Sequence, residues 1–120
     1  MAQFVLVLHY DPSAMKRDIS PAQMQSVIAE YAAWANKMAS AGRLKAAQKL
    51  KHEGGRQVSM DSGKMRVVDG PFAEAREVIS GFYVIEADDY AHAVELIKDH
   101  PHLKYSRKID IREVDSIKAP

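Results

Sequence analysis

The chain contains no cysteine. Disulfide bridges, thiolate nucleophiles and cysteine-ligated zinc are therefore excluded, and the composition suits a reducing compartment. Long apolar runs are missing too. "FVLVL" near the N-terminus is far shorter than the about 20 residues of a membrane helix, and no Lys or Arg precedes it as in a secretory leader. Neither sign of charge predominates, since 17 basic residues face 16 acidic ones for a net charge of +1. No global field then draws the chain to nucleic acid or anionic lipid. Gly-rich phosphate loops and Ser-His-Asp arrangements are also missing. The resulting expectation is a cytoplasmic protein with no membrane attachment, no direct nucleic-acid contact and no cofactor.

What is present describes one α+β domain spanning residues 1–120. A chain of this length buries roughly two-thirds of its unfolded surface. Phe4 to Leu8 is apolar throughout and rich in β-branched residues, the pattern of a strand covered on both faces. Ser20-Pro21 opens a helix, with a cap residue followed by proline in the first turn. Its apolar stripe runs through Met24, Val27, Ile28, Tyr31, Trp34, Ala35 and Met38, and Gly42 stops it. In "RLKAAQKLKH" a period of two sends Leu44, Ala46 and Leu50 one way and Arg43, Lys45, Lys49 and Lys51 the other. "QVSMDSGKMRVV" reads as a hairpin. With Ser62-Gly63 as its turn, Met60 faces Met65 and Val58 faces Val67; a three-residue loop is the alternative.

"ISGFYVIEA" is a further strand, followed by a cap at Asp88 or Asp89 and a helix with Tyr90, Ala93, Val94 and Ile97 on one side, stopped by Pro101. "RKIDIREV" closes the chain with Ile109 and Ile111 inward and Asp110 and Arg112 polar. The order β-α-β-(hairpin)-β-α-β predicts a ferredoxin-like split βαβ with an inserted hairpin, both helices lying on one face of an antiparallel sheet. Two helices cover one side only. The strands at 4–8 and 82–85 are apolar on both sides, so a second copy is the simplest cover for the other face and a homodimer is expected.

"VVDGPFAEARE" leaves a strand at Asp69 and turns through Gly70 and Pro71 onto Phe72. Gly70 before proline favours extended backbone or positive φ. Asp69 can accept hydrogen bonds from the amides after the proline, and Phe72 is placed to anchor the turn in a core.

The stretch 69–89, "DGPFAEAREVISGFYVIEADD", resembles the signature of the YCII-related family, DGPF subgroup. The likeness extends to "SPAQMQSVIAEYAAWANKMASAGRL" and to "KIDIREV", so it covers nearly the whole chain. Arg76 stands where the subgroup has lysine and Ser80 where it has a first glycine. The resemblance implies a ferredoxin-like fold that assembles as a dimeric α+β barrel. Another branch of the family carries a proposed catalytic His-Asp pair, its histidine following a Pro-Ala step at the start of the first helix. Here Pro21-Ala22 leads into Gln23, so that role does not transfer.

The candidate chemistry is accordingly local. His9 ends the first strand, and with Asp69 it forms the expected catalytic pair, the carboxylate orienting the imidazole as general base in a pocket between helices and sheet. Gly70, Pro71, Phe72 and Tyr83 are the expected ligand contacts. Arg43 or Lys45 is a weaker candidate for holding an anionic group. His100 and His102 in "HPH" offer two metal-type ligands, but a site needs three or four, and no metal is expected. The basic stripe suits edge protection better than nucleic-acid binding. Two functions follow. One is a dimer that binds a small organic molecule and carries out cofactor-independent proton-transfer or lyase-type chemistry. The other is a non-catalytic dimeric interaction module linked to sigma-factor regulation, a setting implied by the subgroup resemblance.

Overall fold

A computed structural model of the chain describes residues 1–11, 20–70, 78–105 and 107–116. Its elements are β1 (Ala2–Tyr10), α1 (Pro21–Ser40), β2 (Leu44–Lys49), β3 (Arg56–Asp61), β4 (Lys64–Asp69), β5 (Val78–Ala87), α2 (Tyr90–Ile97), α3 (Pro101–Lys104) and β6 (Ile109–Glu113). Four strands form an antiparallel sheet in the order β2-β5-β1-β6. The hairpin β3-β4 is a separate two-stranded sheet. This arrangement is compatible with the expected ferredoxin-like fold.

The ends of α1 are specified by local chemistry. Ser20 accepts from the Gln23 amide at 3.2 Å, and Gln23 Oε1 accepts from the Ser20 amide at 2.9 Å, a reciprocal capping box. Arg43 N–H donates to the Met38 carbonyl and Gly42 N–H to that of Ala39. Gly42 adopts φ 72° to allow this Schellman closure. Asp89 caps α2 through the His92 amide at 2.8 Å. Pro101, expected only to stop that helix, also begins the single turn of α3, whose cap is His100.

The core lies between the sheet and the helices. Phe4, Leu6 and Leu8 of β1 and Tyr83, Ile85 and Ala87 of β5 meet Trp34 and Met38 of α1 and Ala93 and Ile97 of α2. Burying each large apolar side chain contributes about 1.5–3 kcal/mol relative to exposure. The alternate residues point away from the helices. Val5 pairs with Val84, Val7 with Phe82 and His9 with Ile79 on this second face, which we call the open face. None of Val5, Val7, Phe82 and Val84 is fully buried, and Ile79 is 46% exposed. Helix cover on one side only is therefore as expected.

Two bulges interrupt the alternation. Leu44 pairs with Ile85 but Ala46 pairs with Val84, so Lys45 is the extra residue and Leu44 and Ala46 fall on opposite faces. The expected uniform period of two in β2 fails there. On β5 the extra residue is Ser80, since Leu8 pairs with Gly81 and His9 with Ile79. The Ser80 hydroxyl donates to the Leu8 carbonyl at 3.3 Å and its carbonyl accepts from the Leu50 amide at 2.9 Å.

The hairpin has the expected two-residue register, Met60 opposite Met65 and Val58 opposite Val67. Ser62 and Gly63 have φ 51° and 79°, both positive as a type I′ turn requires. At its root, Gly70 N–H donates to the Gly55 carbonyl at 2.9 Å. Gly70 does not adopt the positive φ allowed for above. Glycine is needed there for space, because a Cβ would stand 2.6 Å from the Gly54 carbonyl oxygen.

Gly81 faces a similar constraint in the main sheet, where a Cβ would meet the Gln48 carbonyl oxygen at 2.7 Å. Both partners are backbone in paired strands, so neither moves independently. Gly81→Ala should cost roughly 1–3 kcal/mol, measured as a lower urea midpoint with an unchanged m-value. An unchanged midpoint would refute the contact.

Candidate functional site

His9 occupies the point where the Ser80 bulge bends the centre of the sheet. It is held on three sides. Its amide donates to the Lys108 carbonyl at 2.9 Å, its carbonyl accepts from His102 Nε2 at 2.6 Å, and its own Nε2 meets Asp110 Oδ2 at 2.9 Å. The His9 side chain is 15% exposed and that of Asp110 52%. The pair thus sits at the rim of the open face, beside Val7 and Ile79. An imidazole that donates Nε2–H to a carboxylate keeps its lone pair on Nδ1. The carboxylate both selects that tautomer and stabilises the imidazolium formed when Nδ1 takes a proton.

Behind His9, on the helix side, lies a second imidazole pair. His100 and His102 are each 1% exposed. His102 Nε2 faces a carbonyl and must carry the hydrogen, so its Nδ1 accepts from the Tyr31 hydroxyl at 2.8 Å. His100 Nδ1 accepts from the His102 amide at 3.0 Å, and its Nε2–H donates to the Tyr83 oxygen at 3.2 Å. Both rings are accordingly neutral and of one tautomer. Burial pushes both pKa values down to about 4, and each is lowered further by nearby cationic or imidazole charge: His102 for His100, Arg107 for His102. A proton on His100 Nδ1 would also point at the His102 amide hydrogen. Burial pushes the Tyr83 hydroxyl up to about 12, so it remains protonated.

The expected site residues are distributed as follows. His9 lies on the open face, away from the space between helices and sheet. Asp69 is exposed at the end of β4 and pairs with Arg56 at 3.0 Å. Among the described residues no hydrogen bond joins His9 to Asp69; the carboxylate at His9 is Asp110. Tyr83 faces the core, packed edge-on against Trp34 at 5.0 Å, and its hydroxyl meets His100. Gly70 is at the hairpin root. Pro71 and Phe72 lie outside the described residues, as do the amides expected to cap Asp69. Lys45 pairs with Glu86 at 3.2 Å, and Arg43 donates to the Glu86 carbonyl at 3.2 Å, so both candidate anion ligands are engaged.

Among the described residues no group of three or more metal-type side chains converges. Two clefts among the described residues lie elsewhere. One, of about 350 Å³ between α1 and α3, is floored by Ala33, Trp34 and Pro101. Its charges are mutually paired, Lys37 with Asp99 and Lys104 with Glu30.

Comparison with known families matches residues 2–115 to the YCII-related domain. The chain belongs to the YCII-related family. No curated protein matches it. Within this YCII-related chain, Gln23, which follows the Pro21-Ala22 step, closes the helix capping box with its side chain. Asp110 was visible in the sequence only as a polar residue on an amphipathic strand. The one signal that could have exposed it is its alternation with Ile109 and Ile111, which places it on the same face as His9 once β6 is set beside β1.

The buried imidazoles make a pH prediction. Their folded pKa values of about 4 lie below the ordinary 6.5, so between these limits the unfolded chain binds more protons. The stability they confer is complete above pH 6.5 and declines as pH falls toward 4, by up to about 1.4 kcal/mol per pH unit for each ring. Denaturant titrations at successive pH values should show this slope, and His100→Gln should reduce it by about half. Equal slopes in the two proteins would contradict the assignment.

Proposed function

We propose that this YCII-related protein, of the DGPF subgroup, is a cytoplasmic homodimer that binds a small organic molecule against the open sheet face. There it carries out cofactor-independent proton-transfer or lyase-type chemistry. The observation that carries this reading is the His9–Asp110 pair at the rim of an apolar, uncovered surface. His9 Nδ1 is the proton acceptor and Asp110, in place of Asp69, the residue that orients it. Val7, Phe82 and Ile79 supply the apolar ground on which a ring or alkyl portion of the ligand rests. The pairing of two open faces under a twofold axis removes that ground from water and gives the ligand a second wall.

The second reading, a non-catalytic dimeric module linked to sigma-factor regulation, is favoured by one observation. Gln23 stands after the Pro21-Ala22 step, where the resemblance places the proposed catalytic histidine of another branch, and its side chain is used in helix capping.

Thermal-shift screening against small phenols and carboxylic acids separates the two. A ligand that binds only the folded state at 100 times its Kd stabilises by about 2.7 kcal/mol. The catalytic reading expects at least one compound to raise Tm, and expects His9→Asn and Asp110→Asn to lower its turnover roughly 10²–10⁴-fold. If no compound raises Tm, or if turnover survives both substitutions, the proton-transfer role is lost. Sedimentation should give a species of twice the 13.4 kDa chain mass.

A further inference from the structure

We propose that the β3–β4 hairpin is an arm that docks on a second copy of the chain and completes the dimer contact begun by the open face. The inference rests on the dimer reading above and adds to it a second part of the interface.

The arm is an amphipathic ribbon. Val58, Val67, Met60 and Met65 form two cross-strand pairs on one side, while Gln57, Ser59, Asp61, Lys64 and Arg66 are paired on the other with Val68. The apolar four are 60%, 49%, 69% and 68% exposed, and every residue of β3 is exposed. Among the described residues nothing covers that apolar side. A lone two-stranded hairpin is marginally stable in water and gains its stability from a surface to pack on.

A second copy is the occupant that both surfaces on this chain require. The body has an apolar face without cover, and the arm has an apolar face without support. A twofold axis supplies each with a partner and makes every contact twice. Area points the same way. A stable interface removes about 800 Å² from each partner, whereas Val5, Val7, Phe82 and Val84 are already half-buried and fall short of this. The four arm side chains add roughly 300–400 Å² from each copy, with a comparable area on the surface they cover. The root suits a projecting element: Gly54 and Gly55 have φ 82° and 107°, Gly70 sits against them without a Cβ, and Arg56 pairs with Asp69 across the two strands.

Hydrogen exchange on the full chain, followed across concentrations that span dimer formation by sedimentation, tests this directly. Amide exchange from Val58 to Val67 should slow more than tenfold as dimer forms. Met60→Gln with Met65→Gln should raise the dissociation constant at least tenfold, whereas Gln57→Ala with Ser59→Ala, on the polar side, should leave it unchanged. A dimer that forms with arm exchange unaltered overturns the arm's role and leaves the open-face contact standing. Arm amides equally slow in monomer and dimer would overturn it too, because the arm would then be held by its own chain. A chain that stays monomeric at every concentration overturns both the arm and the dimer reading on which it rests.

Discussion

The antiparallel pairing of β1 with β5 is the contact on which the rest of the molecule depends. These two strands are central in the sheet, and they carry apolar side chains on both faces. The helix side of the pair builds the core, with Phe4, Leu6 and Ile85 excluded from solvent. The other side carries Val5, Val7, Phe82 and Val84, and among the described residues no helix packs on it. One sheet thus generates a buried interior on its helix side and a partly exposed apolar face on the other, with the His9–Asp110 pair at that face's rim. The β1–β6 register, with Val7 opposite Asp110, sets Asp110 beside His9, and the Ser80 bulge lies across β1 from that pair. Bulges of this kind recur where a strand must re-aim a side chain.

The two faces communicate through backbone at His9. On the core side, Tyr31 donates to His102, and His102 donates to the His9 carbonyl. On the open side, the same residue's imidazole meets Asp110. A neutral histidine is well suited to this position, because one ring nitrogen donates and the other accepts, joining α1, α3 and β1 without a buried charge. His100 does the same between the His102 amide and Tyr83. No described buried side-chain polar atom lacks a partner. A network that is completely satisfied in one tautomer gives a polar core a single arrangement.

The Asp69-Gly70 step serves the hairpin in this architecture. Asp69 ties β4 to β3 through Arg56, and Gly70 permits backbone to approach backbone at the root. Both roles concern how the arm leaves the body. They provide a physical use for the first two residues of the Asp-Gly-Pro-Phe stretch without assigning them to a reaction.

Most elements and caps were legible in the sequence because each depends on residues within a few positions of one another; the two-residue hairpin register was one of two alternatives. Ser20 as the cap of α1, Gly42 after its last turn, and Ser62-Gly63 at the hairpin tip belong to this class. The two apolar faces of the central strands were legible as well, since they follow from the unbroken apolar runs at 4–8 and 82–85. What only the tertiary structure decided was which distant residues meet. Asp110 reaches His9 across 101 positions, and His102 reaches its carbonyl across 93. Those meetings depend on strand order, above all on β6 lying beside β1 with Val7 opposite Asp110; the bulges at Lys45 and Ser80 shift the β2–β5 and β1–β5 registers by one residue. Local periodicity contains no signal for strand order or for such shifts, so the sequence by itself determined a sheet with two apolar faces, and tertiary packing determined the partner of His9.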